Sequence, residues 1–146
     1  MPARPPDELA ASAARSARRA PFQYAIIRVV PRVERGEAFN AGVVLLCRPR
    51  RFLGARVQLD RALLATFAPG VDAASLRAHL ELIPRLCAGD PAAGPLAALS
   101  QPERFHWLVS PSSTMVQPAE VHTGMTADPE GTLGHLFAAL VERSAS

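Results

Sequence analysis

One charged side chain, Arg28, interrupts the otherwise apolar segment from Phe22 to Val30. A guanidinium that is buried or half-buried in such a segment needs an acidic or carbonyl partner, because the charge loses its hydration. Glu37 and Asn40 follow closely in the sequence and could fold back onto it. The arrangement predicts either a structural salt bridge at the mouth of a hairpin or a cradle for a carboxylate or phosphate, since arginine presents a bidentate fork of donors.

A second polar segment runs from Ser110 to Gln117 and is followed by His122-Thr123-Gly124. Nucleophilic catalysis would need a hydroxyl within hydrogen-bond reach of a base that a third group orients. No spacing in this segment fixes that geometry, and the glycine-flanked serine of a nucleophile elbow is absent. We therefore favour hydroxyls that bond nearby backbone groups, and we predict no catalytic residue.

The four histidines and nine glycines are dispersed along the chain. A metal-binding histidine pair on a helix needs a spacing of three or four residues, which no two of these histidines have. A phosphate-binding loop needs clustered glycines, and these occur singly. We expect no metal site and no cofactor.

Arg48, Arg50 and Arg51 form the densest basic patch. Together with the arginines near the N-terminus they could contact phosphates. A nucleic-acid reader usually adds stacking aromatic residues, and only Phe52 interrupts this run. A solvated hairpin tip is the interpretation we favour, with nucleic-acid binding as an alternative.

Composition predicts one globular domain with a short tail. The chain has 146 residues, of which 49% are hydrophobic and 20% charged, and its net charge is +3. Residues 1–21 carry four arginines and two acids, whereas the remaining 12 arginines face 11 acids. We predict a disordered Arg/Ala/Pro-rich tail at 1–21, since it has almost no large apolar side chain to bury, and a single domain at 22–146.

The two cysteines, Cys47 and Cys87, follow no C-x-x-C pattern, and we recognise no signal-peptide core. A cytoplasmic location is therefore expected. No apolar run is long enough to cross a bilayer, so we expect no membrane association.

Hydrophobic patterns predict three strands at 22–30, 39–47 and 52–59, arranged as an antiparallel meander with the second strand central. A fourth strand is expected around 115–121. Helices are predicted to begin near Asp60, Asp72, Ser100 and Asp128, the second being kinked or divided at Pro84. The expected fold class is α+β, with a three- to four-stranded sheet packed with three to four helices.

Several segments together carry a family resemblance. They are Phe22–Pro31, Gly36–Leu45, Arg104–Leu108, Ser113-Thr114 and His122-Thr123-Gly124. Over residues 22–141 the chain resembles the bacterial domain-of-unknown-function 3037 family. The biochemistry of that family is unassigned, and its members look like genomic companions of HipA-like serine/threonine kinases, which implies a protein partner.

Carried over by position, the resemblance implies a ligand-binding polar set without a catalytic role. Its members are Arg28, Glu37, Asn40, Arg104, Ser113, Thr114 and His122. The family pattern commonly has an arginine where this chain has Ser112, which weakens any anion site that includes this loop.

Three functional hypotheses follow. The leading one is a non-enzymatic interaction or regulatory module that acts with a HipA-like kinase. The second is a small enzyme or anionic-ligand-binding domain that uses Arg28, Glu37, Asn40 and His122. The third is nucleic-acid binding through the tail and through Arg48, Arg50 and Arg51.

Overall fold

The computed structural model describes residues 18–112 and 114–143. Within these residues the chain folds as an α+β domain with one antiparallel sheet of five strands and four α-helices. The strands are β1 (Ala20–Val29), β2 (Phe39–Cys47), β3 (Phe52–Val57), β4 (Val116–Pro118) and β5 (His122–Thr126). The helices are α1 (Arg61–Phe67), α2 (Ala73–Cys87), α3 (Gln101–Val109) and α4 (Pro129–Leu140). The predicted fold class is confirmed, with five strands in place of three to four.

The first three strands form the predicted meander, in the order β3-β2-β1. β2 is central because nearly all its side chains are apolar and buried on both faces. β1 begins at Ala20, two residues earlier than predicted, because Ala20 and Pro21 pair with β5. β3 ends at Val57 rather than at residue 59.

The outer edge of β1 is covered by two short strands. β4 pairs with Ile27–Val29 and β5 pairs with Ala20–Tyr24, both antiparallel to β1. Between them, residues 119–121 lie opposite only two residues of β1, so one residue is extra and the strand is interrupted by a bulge. The single predicted fourth strand is therefore one edge strand in two parts.

Helices cover the two faces of the sheet unequally. One face packs Ala25, Ile27 and Val29 of β1 against α1, α2 and α3. The other face packs against α4, through Leu133 and Phe137. Gly54 of β3 permits this second contact, since a β-carbon there would lie 3.1 Å from Leu133 Cδ2.

The helices begin where the sequence predicts because their caps are local. Asp60, Asp72 and Asp128 each accept a hydrogen bond from a first-turn N–H, and Ser100 does the same at α3. The prediction that Pro84 would divide α2 is wrong in one respect, because the helix is continuous to Cys87. Pro84 lies in the last turn, where its missing N–H costs a single hydrogen bond.

Candidate functional site

The face of the sheet under α4 is only partly covered, and the change occurs along β1. Ala20 and Phe22 are buried beneath the helix, whereas Tyr24 and Ile26 are half-buried and Arg28 is exposed. On the opposite face of the same strand, Ala25 and Ile27 are 0% and 1% exposed. β1 is therefore covered on the α4 side at its start, where Pro21 and Gln23 of the other face are exposed, and on the opposite side only from Ala25 onwards.

This part of β1 is uncovered because α4 lies over β2 and β3. Asn40 Nδ2 donates to the carbonyl oxygen of Leu140 at 3.0 Å, so the side chain caps the last turn of α4. Asn40 is also the register partner of Arg28 across β1 and β2. The helix thus stops over β2, one strand before Arg28. We call the uncovered residues of this face the open strip: Tyr24, Ile26 and Arg28 on β1, with Gln117, Ala119 and His122 on the edge.

The first half of the open strip is aromatic. The ring centroids of Tyr24 and His122 are 5.3 Å apart, and those of Tyr24 and Phe22 are 6.1 Å apart. Gly124 makes room for the Phe22 ring, because a β-carbon there would lie 2.6 Å from Phe22 Cζ. His122 Nε2 lies 4.0 Å from Glu120 Oε1. An imidazole and a phenol ring therefore stand side by side in solvent contact.

The second half of the open strip ends in a cleft of 350 Å³. Arg28 provides the one charged side chain among its described lining residues. The remaining lining residues are Val30, Val33, Gly36, Ala38, Ser112, Gln117 and Pro118. Gln117 lies directly opposite Arg28 in the β1–β4 register. Ser112 and Gln117 belong to the polar segment 110–117 but are not among the site residues predicted from the sequence. Gln117 reaches Arg28 through the strand register, and Ser112 lines the same cleft from the preceding loop.

Hydrogen bonds within the loop use the hydroxyl donors of Ser112 and Thr114 and one hydrogen of Gln117 Nε2. Thr114 Oγ1 donates to the carbonyl of Val116 at 2.8 Å, so Ser112 Oγ is the donor in its 2.9 Å bond to Thr114 Oγ1. Gln117 Nε2 donates to the carbonyl of Thr114 at 2.7 Å. The loop hydroxyls therefore satisfy neighbouring groups of the loop itself. The predicted site residue Ser113 lies outside the described residues.

Glu37 pairs with Arg35 rather than with Arg28. The two side chains form an exposed ion pair, in which the hydrogen bond and charge of Glu37 raise the pKa of Arg35. The expectation of a buried or half-buried Arg28 is wrong, because α4 does not reach it. Among residues 18–112 and 114–143, no carboxylate lies within ion-pair distance of the Arg28 guanidinium.

Arg104 lies elsewhere, on the opposite face of the sheet. Its side chain is 9% exposed and donates to the carbonyls of Leu86, Cys87 and Leu99 at 2.7–2.9 Å. These bonds close the C-terminal end of α2, where free carbonyls accept from a cation. Burial raises the pKa of the neighbouring Cys87 thiol to about 12, although the charge of Arg104 acts in the opposite direction. Arg104 thus contacts main chain and does not line the cleft.

Thr114 and His122 lie at different points along the outer edge of β1. His122 is opposite Tyr24, whereas the strand that follows Thr114 begins opposite Val29. Five residues of β1 separate these points, which is about 16 Å at ~3.3 Å per residue. A hydroxyl and a base must approach to about 3 Å for nucleophilic catalysis, so Thr114 and His122 do not form such a pair.

The arginines of the β2–β3 turn stand together at the surface. Arg48, Arg50 and Arg51 are all exposed, and Arg51 has a positive φ of 53°. Its N–H donates to the Arg48 carbonyl at 3.1 Å, which closes the turn. The turn follows the Cys47 end of β2, whereas Arg28 pairs with Asn40 at the other end of that strand.

The sheet edge beside the open strip exposes apolar side chains. Met125 is 59% exposed, and Met115 and Val121 are also exposed. All three lie on or next to the interrupted edge strand.

No helix in the described part of the chain is long and apolar enough to cross a bilayer.

Fold and surface together define an α+β domain with a three-helix layer on one face of its sheet and a single, incomplete helical cover on the other. The chain belongs to the family described as "Protein of unknown function (DUF3037)", whose model matches residues 24–141. The resemblance drawn from the sequence is confirmed. No curated protein and no solved structure matches the chain.

Proposed function

We propose that this protein is a non-enzymatic interaction or regulatory module whose partner binds the open strip. The observation that supports the proposal is the one-sided cover of β1 from Tyr24 to Arg28. Tyrosine and arginine are the residues most often found at the energetic centre of protein interfaces. The α-carbons of Tyr24 and Arg28 are about 13 Å apart along β1, so both side chains can contact one partner surface.

The neighbouring edge strand supports the same proposal. A stable interface buries about 800 Å² on each partner, so a partner of the open strip is expected to contact neighbouring surface as well. Met115, Val121 and Met125 are exposed along the adjacent edge. Met125 is opposite Pro21 and Val121 lines a cleft with Gln23, so these two side chains lie on the α3 side of the edge and a partner would contact them by wrapping around it. A partner that covers the open strip and this edge would bury both. Family resemblance gives the partner class, and we propose a HipA-like serine/threonine kinase.

Copurification of the tagged chain from its host cell tests the proposal. We expect the wild-type chain to recover a stoichiometric kinase-like partner and the double variant Ile26→Lys/Arg28→Glu to lose it. The matched control is Leu82→Lys/Arg77→Glu, which makes the same changes on exposed positions of α2. Circular dichroism spectra establish that all three proteins are folded.

Two results would overturn the proposal. One is that the wild-type chain recovers no partner and does not change the activity of a neighbouring kinase. The other is equal recovery by the folded open-strip variant and the wild-type chain.

A further inference from the structure

We infer that the cleft at the end of β1 binds a carboxylate group, which Arg28 holds through its guanidinium. The inference rests on the proposed function, because it names the chemistry that the open strip recognises at its Arg28 end. The cleft has a volume of 350 Å³ and contains one cation among its described lining residues. Glu37, the acid considered as a partner for Arg28, is held by Arg35.

Charge and donor count select the class of anion. A phosphate dianion is usually bound by several donors, as at helix N-termini and arginine clusters. Here the Ser112 hydrogen goes to Thr114, and Gln117 Nε2 gives one of its hydrogens to the Thr114 carbonyl. Among the described lining residues, the guanidinium of Arg28 is therefore the principal side-chain donor left. One planar fork of N–H groups matches the two oxygens of a carboxylate.

The walls of the cleft fit the remainder of such a ligand. Val30, Val33, Ala38 and Pro118 line it with apolar atoms, and Val33 is 43% exposed. Gly36 adopts φ +70°, and a β-carbon at this position would meet nothing within 4 Å, so the mouth of the cleft is open. A carboxylate on a short aliphatic chain therefore satisfies the charge and covers the exposed apolar wall. Both a partner's acidic side chain and a free aliphatic acid have this chemistry.

Nuclear magnetic resonance titration of the full chain tests the inference with defined probes. The probes are butyrate, its neutral analogue butanol, inorganic phosphate and the blocked peptide pair Ac-Val-Glu-Val-NH2 and Ac-Val-Gln-Val-NH2. We expect butyrate to shift the methyl resonances of Val30 and Val33 with a Kd on the order of 1 mM, to which the ion pair and the apolar contacts of the aliphatic chain both contribute. Butanol and the glutamine peptide should have no effect at the same concentrations.

Substitutions assign the effect to Arg28. Arg28→Gln should weaken butyrate binding at least tenfold, and Arg28→Lys should weaken it severalfold because the fork is lost. Arg32→Gln is the matched control, since Arg32 is exposed nearby but does not line the cleft. It removes the same charge and should leave binding unchanged.

The outcomes separate the source of the carboxylate from the validity of the site. Tighter binding of the glutamate peptide than of butyrate assigns the carboxylate to a partner's side chain, and the reverse order assigns it to a free acid. Both support the site. Equal binding by wild type and Arg28→Gln, or phosphate binding at least tenfold tighter than butyrate, would overturn the inference. Because the titration needs no partner, its result is independent of the copurification.

Discussion

Replacement of Arg104 by methionine tests whether this residue stabilises the fold. The variant removes three hydrogen bonds from a buried guanidinium to the carbonyls of Leu86, Cys87 and Leu99. A hydrogen bond to a charged group contributes about 1.5–3 kcal/mol, and bonds made by one side chain are not additive. We therefore expect Arg104→Met to lower the free energy of unfolding by about 3–5 kcal/mol.

Urea denaturation followed by circular dichroism measures this change. The control is Arg77→Met, which breaks an exposed pair with Glu81 one helical turn away and should cost about 0.5 kcal/mol or less. A loss below about 1 kcal/mol for Arg104→Met would refute the structural role, since the three carbonyls would then be satisfied without the guanidinium. Unchanged stability combined with loss of ligand binding would instead favour the ligand-binding role that the family resemblance implied for Arg104.

Three further predictions concern acid stability, thiol reactivity and the arginine turn. Hydrogen bonds from the Ser75 hydroxyl and from main-chain N–H groups lower the pKa of Asp72, so its stabilisation is complete above the ordinary value of 3.8 and is lost as pH falls through the folded value. Asp72→Asn keeps a capping oxygen and should reduce the loss of Tm on acidification; an unchanged acid dependence would contradict this. Cys47 and Cys87 are buried, and the pKa of Cys87 is raised to about 12, so neither thiol should react with a disulfide reagent at neutral pH before unfolding; rapid labelling of the native chain would disprove it. If Arg50 and Arg51 contact DNA phosphates, glutamine at both positions should reduce the slope of log K against log salt by about 1.8, and an equal slope would exclude that contact.

Elements that depend on neighbouring residues were predictable from the sequence. The caps at Asp60, Asp72, Ser100 and Asp128 act within one helical turn, and all four helices begin there. The meander was predicted from two local patterns. The continuous apolar run of β2 indicates a strand buried on both faces, and the alternation in β3 indicates a strand buried on one face.

The divided edge strand was harder to predict because its pairing is set by β1. β4 has three residues and β5 has five, and the bulge between them shifts the register by one. Short edge strands of this kind carry little periodic signal of their own. Gln117 and Arg28 became neighbours only through this register.

The environment of Arg28 depended on a contact between distant parts of the chain. Asn40 caps α4 at Leu140, which is 100 residues further along the sequence, and this contact holds the end of α4 over β2, one strand away from Arg28. Local pattern placed Arg28 in an apolar strand and therefore suggested burial. Arg104 shows the opposite case, since an arginine that looked available for a ligand is buried against carbonyls of α2.

Hydroxyl-radical footprinting of the chain, alone and with a captured kinase partner, would show whether the partner binds the open strip, because it reports the exposure of individual side chains. We expect the partner to protect Tyr24 and His122 from oxidation. Trp107, which is 58% exposed on α3 at the opposite face of the sheet, should keep its reactivity. Protection of Trp107 with unchanged oxidation of Tyr24 and His122 would contradict the proposal that the open strip is the binding surface.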